Sequence, residues 1–137
     1  MLAKFTAILL CSIILNVMAE DLTVEVKHVK PNAGVVFVGL YDKAADFPAT
    51  QKGLAGQVIE ASSETVVATF PGLTAGRYAV AVYQDENRNG KLDKNFLGMP
   101  IEPYGFSNDA RGSMGPPSFD AAAVDITATP KIVVNLH

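Results

Sequence analysis

The stretch Glu64–Gln84, ETVVATFPGLTAGRYAVAVYQ, decides the fold class of this chain. Its two ends, residues 64–70 and 77–84, are rich in β-branched and aromatic residues, and apolar side chains recur at every second position. A period of two predicts β-strands that bury one face. Between them, Pro71-Gly72-Leu73-Thr74-Ala75-Gly76 is typical of a turn. The stretch therefore predicts two strands of an all-β protein.

Similar patterns extend this interpretation to both sides. Further strands are predicted at residues 22–27, 34–42, 57–60, 120–127 and 131–136. A helical turn is expected within residues 47–56, because Pro48 favours the start of a helix and glycines its end. About seven short strands without a convincing amphipathic helix predict an antiparallel, immunoglobulin-like β-sandwich.

The N-terminal residues have the pattern of a signal peptide. Lys4 precedes a mostly apolar run from Phe5 to Val17, and Val17-Met18-Ala19 resembles a signal-peptidase site. We expect cleavage after Ala19 and export to the periplasm or the medium, with no membrane insertion afterwards. Residues 20–137 then form one domain, and Cys11 is lost with the signal peptide, so thiol chemistry is excluded.

The charge of the chain argues against nucleic acid as a partner. The net charge is −3 at neutral pH, and removal of Lys4 would make it one unit more negative. No cluster of basic residues of the kind that binds phosphate backbones is present. Mild acidity with oxygen-rich loops is better suited to a divalent cation, and also to plain solubility.

A long segment without strand periodicity, residues 85–119, separates the predicted strands. It contains four prolines and five glycines, and a connection of this length in a compact domain is usually functional or disordered. Its aromatic residues, among them Phe96, Tyr104 and Phe106, are unusual for a disordered segment. We therefore expect one long ordered loop at one end of the sandwich.

The start of this loop spaces its oxygen ligands as a calcium loop does. Asp85, Asn87 and Asn89 occupy the first, third and fifth positions, Gly90 the sixth, and Asp93 the ninth. The backbone carbonyl of Lys91 is available at the seventh position. These residues predict a calcium site.

The predicted calcium site lacks its usual last ligand, because Phe96 stands at the twelfth position. Glu102 is the nearest acidic substitute, and neighbouring prolines would hold it on a stiff segment. With so few carboxylates we expect a dissociation constant of roughly 10⁻⁴–10⁻³ M, as in extracellular modules. The alternative is an ion-free polar turn, since Asn, Asp and Asn-Gly all favour turns.

Two resemblances are carried by residues already quoted. The phrase from Phe70 to Tyr78 resembles the F-x-x-L-x-x-G-x-Y signature of transthyretin-like and collagen-adhesin B-type sandwich domains. The longer phrase from Tyr78 to Asn108, followed by GPPSF at residues 115–119, resembles an exported bacterial family called domain of unknown function 2141. In that resemblance the loop residues and a second motif from Gly98 to Asn108 match, whereas Gln84 replaces an expected histidine.

The sequence leaves several functions open, of which a non-catalytic binding module is our expectation. Calcium would order the loop and present its outer surface, including the residues Tyr104, Phe106, Ser107 and Asn108, to a protein or glycan partner. The aromatic residues there would otherwise pack as a small satellite core. A small glycoside hydrolase using the loop carboxylates is the catalytic alternative, but a sandwich of this size offers little concave surface.

Overall fold

The computed structural model describes residues 7–8 and 19–137, so nearly all of the predicted signal peptide lies outside the described residues. The part it describes contains eight strands and one short α-helix. They are β1 Glu20–Lys27, β2 Val35–Tyr41, β3 Ala55–Glu60, β4 Thr65–Leu73, β5 Arg77–Asp85, β6 Tyr104–Phe106, α1 Phe119–Ala122, β7 Val124–Asp125 and β8 Lys131–Asn135. Within these residues, no helix is long and apolar enough to cross a membrane.

The strands form two sheets, which confirms the predicted all-β sandwich. One sheet has the order β4-β1-β8, and the other has the order β3-β2-β5-β6 with β7 also paired to β5. All these pairings are antiparallel except that of β1 with β8, which is parallel. The predicted antiparallel arrangement therefore holds for every strand pair but this one. β8 follows β7 of the other sheet and is not joined to β1 by a hairpin, so the two strands can run in the same direction.

The core consists of the apolar residues that alternate along both sheets. In β1, the side chains of Leu22, Val24 and Val26 are completely buried, while the residues between them face outwards. Val80 and Val82 of β5 enter the same cluster from the other sheet. Burial of each such side chain contributes about 1.5–3 kcal/mol to folding, so this layer holds the two sheets together.

The outer face of the second sheet is covered by aromatic rings. Phe37 lies beside Tyr83 on the neighbouring strand, with ring centroids 5.2 Å apart. Gly39 and Gly56 form a paired position beneath the rings of Phe37 and Tyr41. A Cβ atom on Gly39 would lie 3.0 Å from the Tyr41 ring. The glycines therefore make room for a second, smaller apolar layer on this face.

Two local predictions were wrong. The predicted strand over residues 120–127 is instead the helical turn α1 followed by the two-residue strand β7. Ser118 caps this turn by accepting a hydrogen bond from the Ala121 amide at 3.2 Å, and alanine favours helix over strand. Residues 47–56 form hydrogen-bonded turns rather than a helix, and β3 begins there at Ala55.

Candidate functional site

The predicted calcium loop begins at the last residue of β5, where Asp85 is 3% exposed. Its two carboxylate oxygens accept hydrogen bonds from the backbone amides of Asn89, at 3.1 Å, and Gly90, at 2.8 Å. The chain turns around this carboxylate, and Gly90 takes a φ of 79° there. An added Cβ atom on Gly90 would meet no atom within 4 Å, so the glycine serves the backbone conformation and not a lack of space.

Glu102 braces the loop from its inner side. One carboxylate oxygen accepts the Glu86 amide at 2.7 Å, and the other accepts the Asp93 amide at 2.8 Å. Glu102 is only 7% exposed. A single buried carboxylate therefore joins the first and last turns of the loop through charge-assisted hydrogen bonds, which are stronger than neutral ones. The sequence predicted Glu102 as a possible ligand, and in the structure both of its carboxylate oxygens accept backbone amides.

Asp93 receives both loop asparagines. The amide groups of Asn87 and Asn89 each lie 2.6 Å from one of its carboxylate oxygens. Hydrogen bonding from Asn89, and after it from Asn87, together with the charge of Lys91, holds the pKa of Asp93 below its usual value. The three side chains at the third, fifth and ninth positions thus converge on one point.

The start of the loop lies on the aromatic face of the second sheet, because Asp85 shares that face with Tyr83. Tyr83 precedes Asp85 by two residues, so it lies on the same face of β5. Burial and then the charges of Asp85 and Glu102 raise the pKa of Tyr83 to about 12.

At the rim, Arg88 forms a two-pronged ion pair with Glu60, the shorter contact being 2.7 Å. That pair is solvent-exposed and contributes little to stability.

In the part of the chain that the structure describes, no three or more His, Cys, Asp or Glu side chains are grouped to hold a metal. The side chains that converge in the loop are the Asp93 carboxylate and the amides of Asn87 and Asn89, whereas the Asp85 carboxylate accepts backbone amides. Such a set is poor in charge for a divalent cation.

Gln84 is a buried residue whose role the sequence did not predict. Its side chain is fully buried, and it donates to the carbonyls of Lys30 and Ala33 at 2.8 Å. It also accepts the Lys30 amide at 2.9 Å. Gly34 passes so close to the backbone of Asp85 that a Cβ atom would collide with it. Gln84 therefore fastens the β1–β2 connection against the start of the loop.

The predicted partner surface does not form one exposed patch. Tyr104 and Phe106 are half-buried on β6, and Phe106 packs edge-on against Phe47 with ring centroids 5.9 Å apart. Ser107 is completely buried and accepts the Val80 amide at 2.9 Å. Asn108 is exposed, but its amide donates to the Ala123 carbonyl at 2.9 Å. Including Ser107 in an accessible surface was wrong, because its hydroxyl joins β5 to α1.

A small cleft of about 130 Å³ lies beside these aromatic rings. Tyr104 and Phe106 form its apolar side, and Asp109, Arg111 and Asn135 supply its polar groups. Sites for small-molecule ligands are usually clefts of roughly 300–1,000 Å³. The cleft is therefore of a size for one side chain or a few water molecules.

Fold and loop together define a small β-sandwich protein with a braced polar loop at one sheet end. The chain belongs to the family described as an uncharacterised protein conserved in bacteria, DUF2141, whose sequence profile matches residues 24–133. The match covers the sandwich from β1 to β8, which confirms the resemblance found in the sequence. No curated protein and no solved structure matches the chain.

Proposed function

We propose that the protein is an exported, non-catalytic β-sandwich module whose loop, residues 85–93, binds calcium weakly and is thereby ordered for a protein or glycan partner. The observation that carries this proposal is the convergence of Asn87, Asn89 and Asp93, with contacts of 2.6 Å. Side chains at these spacings supply oxygen ligands in calcium loops.

A cation fits this arrangement after a small local change. The amide nitrogens of Asn87 and Asn89 point at Asp93, and a half-turn of each amide would turn its oxygen to the same place. Amide oxygens and a carboxylate repel one another unless a cation lies between them. Asp85 and the Lys91 carbonyl would complete the protein ligands, and water the remaining positions.

Glu102 acts in this proposal as a brace and not as a ligand. Both of its oxygens already accept backbone amides, at 2.7 and 2.8 Å. The brace brings the two ends of the loop together before any ion arrives. An ion would therefore have to order only the outer part of the loop, around Asn87 and Asn89.

An ion-free structural module is the second candidate, and one observation favours it. The carboxylates of Asp85, Asp93 and Glu102 all have hydrogen-bond donors from the loop itself. A carboxylate-dependent hydrolase is supported less, because Asp85 and Glu102 would have to give up backbone bonds to act on a substrate. The neighbouring cleft, at about 130 Å³, is also smaller than typical substrate pockets.

Calorimetric titration with calcium, combined with thermal unfolding, tests the proposal. At a calcium concentration about ten times the dissociation constant, binding adds about 1.4 kcal/mol to the free energy of unfolding. The melting temperature should then rise by roughly 5 °C. The variant Asp93→Asn should lose this rise. Asp120→Asn, which removes an exposed carboxylate outside the loop, should retain it.

A titration without heat across millimolar calcium, together with equal melting temperatures in calcium and in chelator, would contradict the calcium site and favour the ion-free module.

A further inference from the structure

Four large apolar side chains project from the loop immediately after the predicted calcium site. Phe96 is 95% exposed, Leu97 72%, Met99 60% and Ile101 63%. We call these four residues the tip. Apolar side chains stabilise a fold when they are buried, and the tip leaves four of them in solvent. Clusters of exposed apolar side chains commonly mark interaction sites.

The tip is a built turn and not a loose end. Asn95 accepts the amides of Leu97 and Met99 through its side chain, at 2.9 and 3.0 Å. The backbone amide of Asn95 donates to the Met99 carbonyl at 2.9 Å. A β-bridge between Lys94 and Pro100 closes the base of the turn. The backbone of the turn is therefore hydrogen-bonded, while its apolar side chains remain exposed.

Two lysines and two carboxylates lie beside the tip, and they differ in exposure, because Asp93 is half-buried and Glu102 is buried. Lys91 and Lys94 are exposed, and neither forms an ion pair among the described residues. The acidic neighbours, Asp93 and Glu102, are engaged by amide groups of the loop. From Lys94 to Ile101 the chain carries no acidic residue.

We propose that the tip binds reversibly to the interfacial layer of an anionic lipid bilayer, with Lys91 and Lys94 at the level of the headgroups and the sandwich itself outside the membrane. A protruding apolar turn flanked by lysines has the two parts that interfacial binding needs, buried apolar area and attraction to anionic lipid. The exposure of Phe96 places it on a projection, which suits a deformable bilayer. Binding should be weak and reversible, comparable to the ~10⁴ M⁻¹ of a single myristoyl chain.

Cosedimentation with lipid vesicles tests this proposal, using residues 20–137, which contain every strand and core residue described. Vesicles of phosphatidylcholine with phosphatidylglycerol are compared with phosphatidylcholine alone, always in chelator, so that failure of the calcium proposal does not affect the result. We expect binding to the mixed vesicles, and weaker binding to the neutral ones.

Three variants identify the groups responsible. The double variant Phe96→Ser/Leu97→Ser should bind at least about tenfold more weakly, with an unchanged melting temperature. Lys91→Gln/Lys94→Gln should bind roughly tenfold more weakly at low salt and lose its preference for anionic vesicles. Met114→Ser is the matched control, since Met114 is 100% exposed outside the tip, and it should bind as the wild type does.

Absence of wild-type binding to the mixed vesicles would overturn the proposal. So would equal losses in Met114→Ser and the tip variant. If the wild type instead sedimented as a dimer that Phe96→Ser/Leu97→Ser converts to a monomer, the tip would be an interface between copies of the chain.

Discussion

The polar loop at residues 85–93 and the apolar tip follow one another in the chain, but the side chains of the loop bond within the fold and those of the tip are exposed. In the loop, carboxylates and amides satisfy one another, and Asp85 and Glu102 are nearly buried. In the tip, the backbone bonds are satisfied and the apolar side chains are left outside. The contrast shows that the polar side chains of the loop are engaged within the fold, whereas the apolar side chains of the tip are left exposed.

Of the changes considered, removal of the Glu102 carboxylate should lower the stability of the protein most. Glu102→Ala leaves the partly buried amides of Glu86 and Asp93 without their acceptor. Two hydrogen bonds to a charged group are lost, so we expect the free energy of unfolding to fall by about 3 kcal/mol. Chemical denaturation measures this change.

The control for Glu102→Ala is Glu64→Ala, because Glu64 is exposed immediately before β4 of the other sheet and should change stability by less than about 0.5 kcal/mol. Equal stability of the two variants would mean that Glu102 does not hold the loop.

Two matched glycines sharpen the comparison between loop and tip. Gly90 and Gly98 have φ angles of 79° and 78°, and an added Cβ would meet no atom within 4 Å at either. Alanine costs about 1–2 kcal/mol in this left-handed conformation. Gly90→Ala should lower global stability by that amount, measured by chemical denaturation.

Gly98→Ala should destabilise the protein less than Gly90→Ala, because the tip can change conformation without disturbing buried carboxylates. A larger effect at Gly98 than at Gly90 would contradict the assignment of stability to the loop.

The smallest effect concerns pH. The pKa of Asp93 lies below its ordinary value of 3.8 in the folded protein. Its contribution to stability is therefore present above the ordinary value and is lost as the pH falls through the folded value. Wild-type protein should lose more stability than Asp93→Asn on acidification below about pH 4. Identical profiles in thermal unfolding would show that the asparagine contacts do not favour the charged form.

The sequence predicted the strands with period two well, because burial on one face produces that pattern directly. It missed β6, since three residues with Gly105 at their centre carry no period. Gly105 is there because a Cβ atom would collide with the backbone of Asn135, which only the folded chain reveals. The helical turn α1 was missed for the opposite reason. Ala122, Val124 and Ile126 are buried alternately, as in a strand.

The candidate site was predicted in its residues but not in its connections. Ligand spacing grouped Asp85 to Asp93 in one hypothesis, and Asn87 and Asn89 do contact Asp93. The partners of Glu102, however, are backbone amides, which no side-chain pattern records. Ser107 was placed on the surface as a member of the run from Tyr104 to Asn108. Its burial follows from the packing of α1 against β5, a contact between distant parts of the chain.

The parallel pairing of β1 with β8 has a consequence for the order of folding. β1 lies in the middle of its sheet, between β4 and the last strand of the chain. Its hydrogen bonds cannot be completed until β8 has been synthesised and has arrived. Contacts so far apart in sequence slow folding to the range of milliseconds to seconds. Until β8 has joined the sheet, β1 therefore has one unpaired edge.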